Sequence, residues 1–141
     1  MKKLTALVGA GLAASALLAG CASLQDAATH RHDLTFDTYT IASQKWESIP
    51  SWIPTDATAI RLRETTNAPV AVVQVNTTGE PAGCEPADRK YLPGIGGGWL
   101  PTDYPHAILR CGDWEVMPVT SGWFGWTVSE TDMTSGYAPA S

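Results

Sequence analysis

The sequence predicts a mainly β, β-rich α+β domain: a small antiparallel sheet of about four strands with a long irregular loop set into it. Three observations carry this. Residues 58–66 (TAIRLRETT) alternate, with Ile60 and Leu62 on one side and Arg61 and Arg63 on the other, as a half-buried strand requires. Residues 70–77 (VAVVQVNT) are dense in β-branched side chains, which suit a more buried strand. Between Cys84 and Cys111, prolines and glycines interrupt every period.

The elements follow in order. Residues 34–41 (LTFDTYTI) form a first, weak strand, and residues 42–50 a helical turn around Trp46. Pro50 and Pro54 bracket Ser51-Trp52-Ile53 and keep it extended. Asn67-Ala68-Pro69 is a turn, so 58–66 and 70–77 pair as an antiparallel hairpin. Residues 78–83 break the chain. Glu85 to Tyr91 is expected to make one or two helical turns, with Pro86 near the start. Residues 94–99 are a flexible Gly-rich loop. Residues 106–119 give a third strand region, interrupted at Gly112-Asp113. Ser121-Gly122 is a tight turn, and 123–129 (WFGWTVS) is the fourth strand. One sheet cannot bury both faces unaided. The tryptophans and the irregular loop are expected to form the second layer, over one face.

The start of the chain has its own logic. Lys2 and Lys3 precede an uncharged run from Leu4 to Leu18, which closes in Leu18-Ala19-Gly20-Cys21. The run has the length of a signal-peptide apolar region and is short for a spanning helix. The whole resembles a bacterial lipoprotein signal peptide with its lipobox. The resemblance implies that residues 1–20 are removed and that Cys21 carries the lipid, palmitate-type acyl chains included. Two or more chains anchor durably where one does not. The expected plan is a leader over 1–20, a lipidated Cys21 with a flexible tether to residue 33, one extracytoplasmic domain over 34–130 and a flexible tail over 131–141. Ala22 after the cysteine implies the outer membrane in a Gram-negative host, and otherwise the outer face of the cell membrane.

Charge narrows the partners. The formal net charge is −5 and two of the basic residues lie in the leader, so the rest is more acidic still. Nucleic-acid binding wants a basic footprint and is not expected. A polybasic contact with anionic lipid is not expected either. The membrane is engaged through the lipid on Cys21. With Cys21 so assigned, Cys84 and Cys111 remain of the three cysteines. Two cysteines in an exported domain read as one disulfide, here closing the irregular loop. A two-thiol metal site lacks a second nearby ligand pair, and a redox pair usually has C-x-x-C spacing.

Six tryptophans are many for this length. Aromatics at a surface favour binding, and in an envelope protein the ligand would be a glycan face or another protein. The competing reading is that tryptophans fill a core short of Leu and Phe. The binding candidates are Trp99, Trp114, Trp123 and Trp126. Trp99 leads because its glycine neighbours bury it poorly. Trp123 and Trp126 are three apart and face opposite sides of a strand, one to the core and one to the surface.

No cofactor motif is present. The glycines at 94 and 96–98 lead into Trp-Leu-Pro, with no Lys-Ser/Thr and no helix start, so they do not cradle phosphate. His30-Arg31-His32-Asp33 lies in the tether, where ligands do not converge on a metal. No G-x-S-x-G or H-E-x-x-H occurs. Asp103, Asp113 and Glu115, beside Trp99 and Trp114, resemble the paired acids of a glycosidase and equally resemble ordinary solvated charge.

Residues 50–128 resemble a group of small actinobacterial lipoproteins of unassigned function. The resemblance rests on Trp52-Ile53-Pro54, Asp56-Ala57, Ile60-Arg61, Arg63, Gly83-Cys84, Cys111-Gly112, Trp114 and Phe124-Gly125-Trp126-Thr127. It implies one disulfide-linked extracytoplasmic domain and brings no activity or site. The expectation is a lipid-anchored, non-enzymatic binding domain for an envelope protein or glycan. A small cell-wall hydrolase acting through the three acids is the alternative, and a phage-immunity or structural lipoprotein is a third.

Overall fold

A computed structural model describes residues 30–66 and 70–127. The leader, Cys21, most of the tether, the turn at 67–69 and the tail over 131–141 lie outside the described residues. Among the described residues there are one helix and seven strands: β1 (Arg31–Thr38), α1 (Tyr39–Lys45), β2 (Thr58–Thr65), β3 (Ala71–Asn76), β4 (Glu85–Asp88), β5 (Ala107–Cys111), β6 (Trp114–Val119) and β7 (Gly122–Thr127). They form one antiparallel sheet in the order β1-β2-β3-β7-β6-β5-β4. Two meanders, β1-β2-β3 and β4-β5-β6-β7, are thus sewn together by the pairing of β3 with β7.

The mainly β class and the β2–β3 hairpin agree with the sequence. The strand count does not: there are seven strands, where about four are expected. Gly112-Asp113 is the turn of a β5–β6 hairpin, with Gly112 at φ +60°, so one expected strand is two. Residues 85–88 are the edge strand β4, not a helical turn. Pro86 is tolerated there because an edge strand leaves half its N–H groups without a ladder partner. Strand β1 starts at Arg31, inside the expected tether, with Asp33 opposite Arg63. The helix comes earlier than expected, over 39–45. Thr38 is its N-cap, its hydroxyl accepting from Ile41 N–H at 3.3 Å.

Alternation along the strands feeds two cores. Val73 and Val75 of β3 join Phe36, Ile60, Leu62 and Val116 on one face, under Ala42 and Trp46 and the Pro-flanked Trp52 and Ile53. Val72 joins Met117, Phe124 and Trp126 on the other, under Leu100, with Trp99 and Tyr104 packed alongside. Both faces are therefore covered, where one is expected. A bulge in β2 sets two residues, Ala59 and Ile60, against Val75; Ala59 takes up the extra residue at φ +47°. Trp52 lies on Gly125 at the sheet centre, where no side chain fits beneath its ring. Its indole N–H is buried without a hydrogen-bond partner, so the ring is held by packing.

Candidate functional site

One cross-strand row on the second face takes a residue from each of the seven strands: Asp33, Arg63, Val72, Trp126, Glu115, Arg110 and Glu85. Its centre is apolar and its flanks are ion pairs. On one flank, Arg63 Nε and Nη2 donate to the two Asp33 oxygens at 2.6 and 2.7 Å. On the other, Arg110 Nη2 donates to Glu115 Oε1 at 3.1 Å and to Asp88 O at 2.9 Å. Glu115 is fully buried and Arg63 is 8% exposed. Ions so desolvated need several partners each.

The remaining partners come from one segment. Residues 90–105 form an irregular strap lying across this row. Glu115 accepts the Lys90 N–H at 2.6 Å and the Tyr91 N–H at 3.4 Å. Trp126 Nε1 donates to Tyr91 O at 3.1 Å. Further along, Arg63 Nη1 donates to Gly96 O at 3.0 Å and Gly97 O at 2.9 Å, and its guanidinium lies 5.7 Å from the Trp99 ring centroid. Carboxylate and guanidinium thus pin the strap's backbone to the sheet through charge-assisted hydrogen bonds. The strap closes at its neck through Arg89 N–H to His106 O, 2.7 Å. Below the neck, the Cys84–Cys111 disulfide forms as expected, with Cα atoms 4.3 Å apart. Tyr104 seals the return limb: its hydroxyl donates to Pro101 O at 2.8 Å, its ring lies edge-on to Trp126, and burial pushes its pKa up.

The binding candidates separate. Trp126 is fully buried, so it is core and not surface. Trp123 is half-buried on the opposite face, as the three-residue spacing requires, with Nε1 donating to Gly79 O at 3.0 Å. Because both faces are covered, opposite sides do not mean one inside and one outside. Trp114 packs against Trp52 at 6.0 Å and Trp46 at 6.5 Å between ring centroids. Trp99 is half-buried: Phe124 meets it in a T-shaped contact, and Arg63 lies over it. Its glycine neighbours 96–98 are exposed, whereas Trp99 is only partly so.

The three acids separate too. Glu115 has both oxygens engaged and no solvent access, whereas Asp103 in the strap and Asp113 in the β5–β6 turn are exposed. A glycosidase pair needs both carboxyls at a substrate, and Glu115 cannot reach one. Among the described residues no group of His, Cys, Asp and Glu could hold a metal. Leu92, on the strap, is the exposed large hydrophobic among the described residues, at 40%. Sequence reasoning does not single it out, since one Leu between Tyr and Pro carries no pattern.

No protein-family model, curated protein or solved structure matches this chain.

Proposed function

We propose that the chain is a lipid-anchored envelope protein, held by Cys21, whose domain is a non-enzymatic binding module. The strap is its contact surface, with Leu92 and the half-exposed Trp99 as apolar points. The observation that carries this is the strap itself. Long loops without regular structure are uncommon in compact domains and are usually functional or disordered. This one is clamped at several points by buried charged and aromatic side chains. A rigid sheet presenting an ordered irregular loop is the common design of binding proteins. The disulfide supports the compartment, since such bonds persist in oxidising surroundings.

Two measurements test the reading. Metabolic labelling with an alkyne palmitate analogue is expected to mark the full chain and not Cys21→Ser; labelling of both, or of neither, overturns the anchor. Purified full chain is expected to bind envelope fractions saturably. Leu92→Ser and Trp99→Ala should each weaken that binding several-fold, with unfolding shifted little in Leu92→Ser. Saturable binding indifferent to both substitutions would place the contact surface elsewhere. Turnover of wall fragments without saturable binding would replace the module by an enzyme.

A further inference from the structure

The two edges of the sheet are unlike. β4 closes one side with four residues, the second of them Pro86, between Glu85 and Asp88. Shortness, proline and charge are the usual guards of an edge. β1 closes the other side with eight residues and no proline. Among the described residues no strand pairs with its outer backbone, which leaves a row of N–H and C=O groups able to template another strand.

Charge runs along β1 with a direction. Arg31 and His32 begin it, and Asp37 lies near its end. We propose that β1 pairs with β1 of a second copy, antiparallel, about a two-fold axis through Leu34, so that two sheets become one. In this register Arg31 lies opposite Asp37 of the second copy, twice by symmetry. Asp33, already held by Arg63, lies opposite the neutral Thr35. Leu34, half-buried at the margin of the first core, meets its own copy on the axis.

The neighbouring registers are worse for a definite reason. A slip of two residues is the smallest that keeps each side chain on its face. In one direction it sets Asp33 against Asp33 of the second copy, and in the other against Asp37. Like charges directly opposite destabilise a pair, and opposite charges stabilise it. The charge pattern of β1 therefore selects one self-pairing and penalises those beside it.

The test is sedimentation equilibrium of the full chain in a density-matched neutral detergent. The wild-type protein is expected at the mass of two chains. Arg31→Asp and Asp37→Arg each bring like charges together and should weaken self-association about tenfold or more. Mixing the two variants should restore it, because every such contact between them then joins opposite charges. A monomeric wild type up to about 100 μM, a dimer indifferent to both reversals, or a mixture that does not recover would each overturn the pairing. If Arg31→Asp fails to fold by circular dichroism, Asp37→Arg alone decides, by whether its association falls.

Discussion

Glu115→Gln is the sharpest probe of how the strap is held. The two carboxylate oxygens accept three hydrogen bonds: from Lys90 N–H at 2.6 Å, Tyr91 N–H at 3.4 Å and Arg110 Nη2 at 3.1 Å. The amide keeps one acceptor oxygen and puts an NH2 donor where the other stood. At least one backbone N–H of the strap then faces a donor in a site closed to water. An unsatisfied buried group costs about 1–3 kcal/mol, and breaking a buried ion pair from one side about 3–5 kcal/mol. The Arg110 side chain is 29% exposed and can turn to solvent, which places the pair at the low end. The expected loss is about 3 kcal/mol, a fall in urea midpoint of about 1.5–2 M for a domain of this size. Amide exchange at Lys90 and Tyr91 should accelerate more than exchange in β3 and β7, because the strap opens before the sheet does. Unchanged protection at both amides, with the midpoint moved by less than about 0.3 M, would refute the view that Glu115 clamps the strap.

Three other outcomes follow from the packing. Gly125→Ala would set a Cβ 2.5 Å from Trp52 Cζ2, in a ring that has nowhere to go; it should cost about 1–3 kcal/mol and change the Trp emission spectrum, both read in one denaturation series. Reducing Cys84–Cys111, which spans 27 positions, should lower stability by about 3.5 kcal/mol in the chain-entropy picture, seen as a lower Tm with reductant and in the double Cys→Ser variant. Hydrogen bonding from Arg63 holds the Asp33 carboxyl below its usual range, with the charges of Arg63, Arg31 and His32 adding and partial burial opposing. Its contribution is therefore complete above about pH 4 and disappears as pH falls through the lowered folded value. Asp33→Asn should flatten the acid limb of a stability-against-pH curve; because this side chain is 52% exposed, screening keeps the change modest.

How far the sequence could be read depended on whether the cause was local. Ile60, Leu62 and the valines of β3 declare their strands by period, and the hairpin follows. β4 carries no such period: Glu-Pro-Ala-Asp becomes a strand because β5 pairs with it beside the Cys84–Cys111 link. Arg31 to Asp33 look like tether by composition, yet the backbone ladder to β2 and the Asp33–Arg63 pair hold them in the sheet. Arg63 shows the limit of alternation most clearly. Its position opposite Ile60 and Leu62 is legible, but alternation alone sends it to solvent, and it is buried because a segment over 30 residues later lies on it. Glu115 is hidden for the same reason. The candidate site is built by contacts distant in sequence, which no short window contains.

The strand order also fixes when the molecule can be finished. β7, residues 122–127, lies between β3 and β6, and its contacts with β3 bridge as many as 56 positions. A chain that emerges from its amino end, from a ribosome or through a narrow export pore, completes the β1-β2-β3 meander long before β7 arrives. Until then the inner border of β3 is bare, with Val72, Val73 and Val75 along it. Such distant pairings form slowly, and an unpaired apolar border is what aggregation recruits. The last strand to appear is the one that closes the sheet, so a chain halted before Gly122 would present two open meanders in place of a domain.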